Sequence, residues 1–423
     1  MTYRARVVDA ELDELLEALP AVAIEGPKGV GKTATAERRA RTVYRLDEPA
    51  RREMAVADPS ILIQADPPVL IDEWQHVPSV WDAVRRAVDL DRTPNRFLLA
   101  GSAAPAEAPR HSGAGRIVSL RMRPLSLPER GLGKPTVSMR ELLTGSRARL
   151  RGKTSVGLRD YAHEIVASGF PGMRHLSGRA QRAQLDGYLR HIVDRDFVDQ
   201  GLTVRRPDAL KRWMTAYAAA TATTTSLDKI RNAATSGDGE APTKATVSGY
   251  RDVLERLWIV DAVPGWLPSR NHLGRLTQAP KHHLADPALA ARLLGVDEDA
   301  LLEGGPARSA VPRDGSLIGQ LFESLVTLSV RVAAQAAESR VRHLRTKEGR
   351  QEIDLIVERA DQRVVAIEVK LGAVVTDDDV VHLHWLREQL GTELLDTVVV
   401  TTGSEAYRRA DGVGVVPAVL LGA

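Results

Sequence analysis

Gly26-Pro27-Lys28-Gly29-Val30-Gly31-Lys32-Thr33 decides how the first third of this 423-residue chain is read. The stretch fits G-x-x-x-x-G-K-[ST], a loop that wraps a polyphosphate. The chemistry needs each part. Glycines let backbone N–H groups curl round the phosphates, and the helix that starts there presents the positive end of its dipole. Lys32 sets a cation against the β- and γ-phosphates, and Thr33 offers a hydroxyl to Mg²⁺. Ala21–Glu25 reads as a buried strand entering the loop, and 32–41 as a helix leaving it. The expected ligand is ATP with Mg²⁺, held by Gly26, Pro27, Lys28, Gly29, Val30, Gly31, Lys32 and Thr33.

Further along, 43–47 reads as a second strand. Pro68-Val69-Leu70-Ile71-Asp72-Glu73 is an apolar strand that ends in two carboxylates. A strand end is where α/β sheets place their ligands. Asp72 is expected to hold Mg²⁺, directly or through water, and Glu73 to orient and activate the attacking water. A fourth strand, 96–100, runs into Gly101-Ser102. Ser102 is read either as a polar sensor between the two motifs or as part of an ordinary Gly-Ser turn. A fifth strand, 117–122, is preceded by Gly115-Arg116 and followed by Pro124-Leu125-Ser126-Leu127. Arg116 is the candidate to reach the γ-phosphate from its own or a neighbouring subunit. Arg121 and Arg123 compete for that role, and the three can also form a plain solvated face.

Over about 1–130, these features resemble the AAA+-like ATPases of the additional-strand, catalytic-glutamate P-loop class. They are similar to a prokaryotic ATPase family in which this module is fused to a C-terminal region of unknown function. The resemblance implies a parallel sheet of order 5-1-4-3-2 with helices on both faces, joined by βα units.

Composition bounds the rest. A chain this long is expected to divide into two or three domains. Apolar residues make up 43% and aromatics 4%, so the cores rest on Leu, Val, Ile and Ala. Net charge is +3, which argues neither for nor against nucleic acid. The absence of cysteine excludes disulfides and thiolate metal sites. The first six residues carry no apolar signal core, and no run approaching about 20 apolar residues is seen, so no membrane span is expected. The expected location is cytoplasmic.

The chain divides as 1–130, 131–205, 206–275 and 276–423. Residues 133–157, rich in Lys, Arg, Gly and Thr, read as a linker or excursion. Residues 158–200 read as a helical lid or bridge, with Ser168-Gly169-Phe170-Pro171-Gly172 and Asp194-Arg195-Asp196 similar to the fused family. Three helices follow at 207–221, 226–232 (with Ser226 as N-cap) and 243–257. Then comes a strand from Trp258, with Pro264-Gly265-Trp266 as a turn. Helix, helix, recognition-like helix and hairpin make a winged helix. Lys244, Thr246, Ser248 and Arg251 are candidates to face DNA. Asp252 and Glu255 lie close by, and such domains also dock proteins.

The last region orders its elements αβββαβ. A helix carries Glu323, then strands carry Glu352-Ile353-Asp354 and Glu368-Val369-Lys370. This order resembles the PD-(D/E)xK nuclease fold, an α/β restriction-endonuclease-like domain. Asp354 and Glu368 are expected to share Mg²⁺, with Glu323 as an additional ligand and Lys370 steadying a hydroxide or transition-state charge. Glu368 and Lys370 fall on one side of their strand. The same residues can instead be salt-bridged neighbours. His282, His283, His382 and His384 are read as structural.

The leading expectation is a Mg²⁺-dependent ATPase whose nucleotide state controls the winged-helix and nuclease-like domains, acting on DNA or a protein partner. One alternative is an ATP-gated, Mg²⁺-dependent DNA endonuclease, in which Asp354, Glu368 and Lys370 are catalytic. The other is a nucleotide-switched regulator that binds DNA or protein without turnover.

Overall fold

The computed structural model describes residues 3–102, 113–147, 149–235, 242–268, 278–303, 316–346 and 349–423. Five strands form the N-terminal sheet: β1 (Ala21–Glu25), β2 (Thr42–Arg45), β3 (Val69–Asp72), β4 (Phe97–Gly101) and β5 (Val118–Arg121). Their order is β2-β3-β4-β1-β5 and every pairing is parallel. This is the 5-1-4-3-2 order read from the other edge. The strands are short apolar runs because both faces are covered. Val22, Ile24, Leu70, Leu98 and Leu120 enter the largest core, and Ala21, Ala23, Val69, Ile71 and Leu99 enter a second. The helix Ser79–Leu90 closes the second core with Val80, Trp81, Val84 and Val88. The helix after the phosphate loop stops at Glu37, four residues earlier than expected.

Of the two readings of 133–157, the packing is that of an excursion rather than a free linker. The segment holds β6 (Val137–Ser138), which pairs in parallel with β14 (Leu421–Gly422) at the end of the chain. Its polar composition hides Val137, Met139, Leu142, Leu143 and Leu150, which are all buried in the main core.

Residues 158–199 are helical, with a π-helical turn at Ile192–Asp196. The helices Pro207–Ala219, Leu227–Ala233 and Lys244–Arg256 follow as expected. Ser226 and Thr243 cap the last two by accepting from the Lys229 and Thr246 amides. The return to the expected hairpin differs. Isolated antiparallel bridges join Val260 to Leu284 and Val263 to Lys281, so the pairing strand lies beyond residue 275. Gly265–Trp266 is not a turn but a strand, β7, on the edge of the C-terminal sheet. Burial of the Trp266 ring, whose indole donates to Glu358 Oε1 at 3.0 Å, overrides the Pro-Gly turn signal. Such burial is worth about 2–3 kcal/mol.

The C-terminal sheet has seven strands in the order β12-β13-β11-β10-β9-β8-β7. They are β8 (Arg340–Arg345), β9 (Glu352–Glu358), β10 (Val364–Val369), β11 (Leu394–Thr401), β12 (Tyr407–Arg408) and β13 (Gly414–Pro417), with β7 at the edge. The αβββαβ order is present, with the helices Ser316–Ala336 and Val381–Leu390. Leu355, Val357, Val365 and Ile367 share the main core with the first helix, and Ile356, Val364 and Ala366 share another with the second. Contrary to the expectation that no run approaches a membrane span, the stretch Leu317–Ala336 is long and apolar enough to cross a membrane. Its window is 72% buried inside the protein, so it is a core helix here.

Candidate active site

The phosphate loop leaves β1 and ends in a left-handed Gly31, φ 99°, at the start of the helix Lys32–Glu37. A Cβ at Gly26 would sit 2.1 Å from the Met122 carbonyl, so only glycine lets the loop pass β5 this closely. Lys32 Nζ donates to the Gly26 and Pro27 carbonyls at 2.8 and 3.0 Å. Burial pulls its pKa down to about 8 against the pull of Glu73 and Asp72. Thr33 Oγ1 donates to Asp72, 2.9–3.0 Å from the two carboxylate oxygens. Burial first, with the Glu73 charge adding and the Thr33 bond opposing, pushes Asp72 up to about 6. Thr33 and Asp72 thus offer two hard oxygen donors side by side, which fits Mg²⁺.

Glu73 follows β3 with φ 52°, a left-handed conformation that a non-glycine residue keeps only when its surroundings impose it. They do so here: Ser102 Oγ donates to Glu73 Oε2 at 2.8 Å, and the Gln75 amide donates to the same oxygen. Gln75 also bonds Ser102 Oγ at 3.2 Å. Ser102, only 1% exposed, is therefore placed against the carboxylate rather than in an open turn. Gln75 was missed in the sequence; its signal was a polar side chain two residues beyond the acidic pair.

Arg116 lies elsewhere. It precedes β5, at the edge of the sheet opposite the loop, about 17 Å from Arg121 at strand spacing. It pairs with Asp89 at 2.7 Å. In its own subunit it does not join this site. Arg121 sits across from Glu25 at the loop edge. Its guanidinium lies 3.7 Å over the Trp258 ring, and its Nε and Nη1 have no hydrogen-bond partner among the described residues.

Three contacts tie the loop to the rest of the chain. Lys28 Nζ bonds Asp196 Oδ1 at 2.6 Å, and Tyr188 donates to the Lys28 carbonyl at 3.1 Å. Arg6 donates to the Val30 carbonyl at 2.8 Å and pairs with Glu129 at 2.9 Å. Asp261 receives Arg123 at 3.0 Å and Arg331 at 2.9 Å. Burial alone would raise Asp261, but Arg331, Arg123 and Arg121 hold it far below the usual carboxylate range. Ser168 and Gly169 are held by Asp286 at 2.7 and 2.6 Å, which ties the helical bridge to the segment that follows Lys281.

In the middle region Lys244, Thr246 and Ser248 are exposed and Arg251 is half-buried. Lys244 pairs with Asp228 at 3.1 Å, and Arg251 with Glu255 at 3.4 Å.

At the C-terminal end, Glu323, Asp354, Glu368 and Lys370 do converge, but around a residue the sequence reading gave no role. Lys281 Nζ lies 2.8 Å from Glu323 Oε1 and 2.9 Å from Asp354 Oδ1. Asp354 Oδ2 accepts the Val369 amide at 2.9 Å, and Lys370 bonds Glu368 Oε1 at 2.9 Å. Burial and then the Asp354 charge push Glu323 and Glu368 above the usual carboxylate range, with Lys281 and Lys370 pulling the other way. Among the described residues no group of three His, Asp or Glu side chains is disposed to hold a metal ion. The Mg²⁺ expected at Glu323, Asp354 and Glu368 would have to share these oxygens with Lys281 and Lys370.

The four histidines make local bonds. His282 Nε2 lies 2.7 Å from the Thr225 carbonyl, His283 Nδ1 3.2 Å from Ser324, and His384 Nε2 3.1 Å from Asp411. His382 bonds Gln351.

Residues 19–131 match a family model described as an AAA domain. Residues 158–300 match a domain of unknown function, DUF8612, and residues 318–421 another, DUF4143. The uncharacterized proteins Mb2031c of Mycobacterium bovis and Rv2008c of Mycobacterium tuberculosis are each 24% identical over 428 residues, 99% of this chain and 84% of theirs. Among solved structures, a Walker-type ATPase of Pyrococcus abyssi is similar at a TM-score of 0.39 and 15% identity, covering 67% of this chain and 94% of that one. The RuvB Holliday junction branch migration motor of Thermotoga maritima is similar at a TM-score of 0.27 and 18% identity, covering 61% of this chain and 89% of that one. The AAA-domain match and the strand order make the N-terminal region an AAA-type P-loop domain, and ATP binding and hydrolysis are the chemistry it supports.

Proposed function

We propose that this protein is a cytoplasmic, Mg²⁺-dependent ATPase whose nucleotide state is passed to its middle and C-terminal regions. The observation that carries this reading is the set of oxygens at the strand tips: Thr33 on Asp72, and Ser102 with Gln75 on Glu73. Lys32, Thr33 and the loop amides bind the triphosphate. Asp72 and Thr33 hold Mg²⁺, which neutralises charge on the phosphates when bound. Glu73 takes a proton from the attacking water, and Ser102 and Gln75 fix which of its oxygens faces that water.

Two contacts support the coupling. Lys28 leaves Asp196 if phosphate draws its ammonium in, which frees the helical segment that ends in the π-helical turn. Arg121, at the loop edge, rests on Trp258 beside the Asp261 hub, and that hub also receives Arg331 of the long core helix. Arg121 is the better placed of the three candidate arginines to report on the loop. The partner acted upon is a protein or DNA. Pairing of Lys244 and Arg251 with acids favours the docking of a protein by the winged-helix region over strong phosphate contact.

Steady-state ATPase assays of wild type and Glu73→Gln test the reading. The variant is expected to bind ATP but to lose about 10²–10⁴-fold in kcat. Equal turnover in the two proteins makes the chain a nucleotide-switched binder instead.

A further inference from the structure

We propose that the Lys281 ammonium takes the place a divalent cation would occupy between Glu323 and Asp354, so that the C-terminal end holds no catalytic metal and cuts no phosphodiester. Its carboxylates act instead as a lock that fastens the segment after the winged-helix region to the C-terminal sheet. The inference concerns residues outside the phosphate loop and does not depend on the ATPase reading.

Four observations carry it. Lys281 is 1% exposed, so it is no surface side chain that has fallen across an open site. Its backbone exchanges two hydrogen bonds with Val263, both 2.9 Å, which fix where the side chain starts. An ammonium has three donors; two meet Glu323 and Asp354 at 2.8 and 2.9 Å, and Glu352 lies 3.7 Å away on the third side. Of the oxygens a metal would share, both of Asp354 meet donors, Lys281 and the Val369 amide, and Glu323 Oε1 meets Lys281; one of Glu368 meets Lys370, and its Oε2 has no hydrogen-bond partner among the described residues. Mg²⁺ takes six oxygens, several of them water, at about 2.1 Å, and between Glu323 and Asp354 it would have to displace a cation that is itself buried and paired with both.

The lock joins three stretches of chain: Glu323 on the long helix, Asp354 on β9, and Lys281 on the strand-like segment that pairs with Val263. His343 of β8 supports the same segment, its Nε2 lying 2.9 Å from the Ala279 carbonyl. Nuclease-type carboxylates thus serve to seat one region on another.

The full chain is titrated with Mn²⁺ in the absence of nucleotide, and free Mn²⁺ is followed by its paramagnetic resonance signal. Wild type and Asp354→Asn are expected to take up the same amount. Lys281→Met is expected to gain one ion that Lys281→Met/Asp354→Asn loses. An ion bound by wild type and lost in Asp354→Asn overturns the proposal, as does a folded Lys281→Met that gains none. Melting temperature supplies a readout that survives poor folding. Lys281→Met should fall by about 5 °C or more, because two carboxylates are left buried without their counter-ion. Lys281→Met/Glu323→Gln/Asp354→Asn should recover much of the loss, and failure to recover it contradicts the lock.

Discussion

The two ends of the chain each bring a lysine close to carboxylates, and they use it in opposite ways. In the N-terminal loop Lys32 bonds neutral carbonyls, while Asp72 and Glu73 bond neutral hydroxyl and amide donors from Thr33, Ser102 and Gln75. Cation and anions are held apart by uncharged partners, so each stays open to a charged ligand. In the C-terminal cluster Lys281 bonds Glu323 and Asp354 directly, and Lys370 bonds Glu368. The charges there are spent on one another. An inventory of residue types does not separate these cases. What separates them is whether each charge meets a neutral partner or its opposite.

The same substitution at each end probes that contrast most strongly. Asp72→Asn should weaken Mg²⁺-dependent ATP binding by about 10- to 100-fold, the usual consequence of removing a group that orders a metal. Asp354→Asn should show itself in a lower melting temperature, about 3–5 kcal/mol of stability from a broken buried pair, with ATP affinity within about twofold of wild type. Calorimetry of binding and thermal melts of both variants check this. Loss of ATP affinity in Asp354→Asn would join the two ends functionally and break the comparison.

Proton competition gives a smaller effect. Asp72 must be ionised to hold Mg²⁺, and burial has pushed its pKa up to about 6 from 3.8. Above about pH 6 the Mg²⁺ dependence of ATP binding should be flat. Below it, affinity should fall by about tenfold per pH unit. The linkage has a fixed sign. Between about pH 4 and 6 the folded, ligand-free protein keeps a proton that the unfolded chain has released, so its stability declines as pH rises through that window. Mg²⁺-ATP should remove that decline. A Mg²⁺ dependence unchanged down to pH 5 would show that Asp72 is not the group involved.

Much of this was legible in the sequence, for identifiable reasons. Parallel strands covered on both faces read as continuous apolar runs, so β1 to β5 stood out beside a loop motif that needs specific residues. The strands carrying Asp354 and Glu368 stood out in the same way. Lys281 did not, because its partners lie 42 and 73 residues further on and nothing local marks a lysine that will be buried. Trp266 was masked by Pro264-Gly265, a turn signal that a buried ring overrode. Residues 133–157 were read by composition when the spacing of a few apolar side chains mattered more. Arg116 was chosen for its nearness in sequence to β5. The direction of the strand puts it at the edge away from its own subunit's loop.

The central claim is that ATP with Mg²⁺ is held by the loop that ends in Lys32 and Thr33. Isothermal titration of ATP and Mg²⁺ into wild type and Lys32→Ala tests it directly. A single-site exotherm in wild type, weakened by roughly 10- to 100-fold in the variant, is the predicted result, the worth of one charge-assisted hydrogen bond. No heat in wild type, or equal affinity in the two proteins, would contradict it.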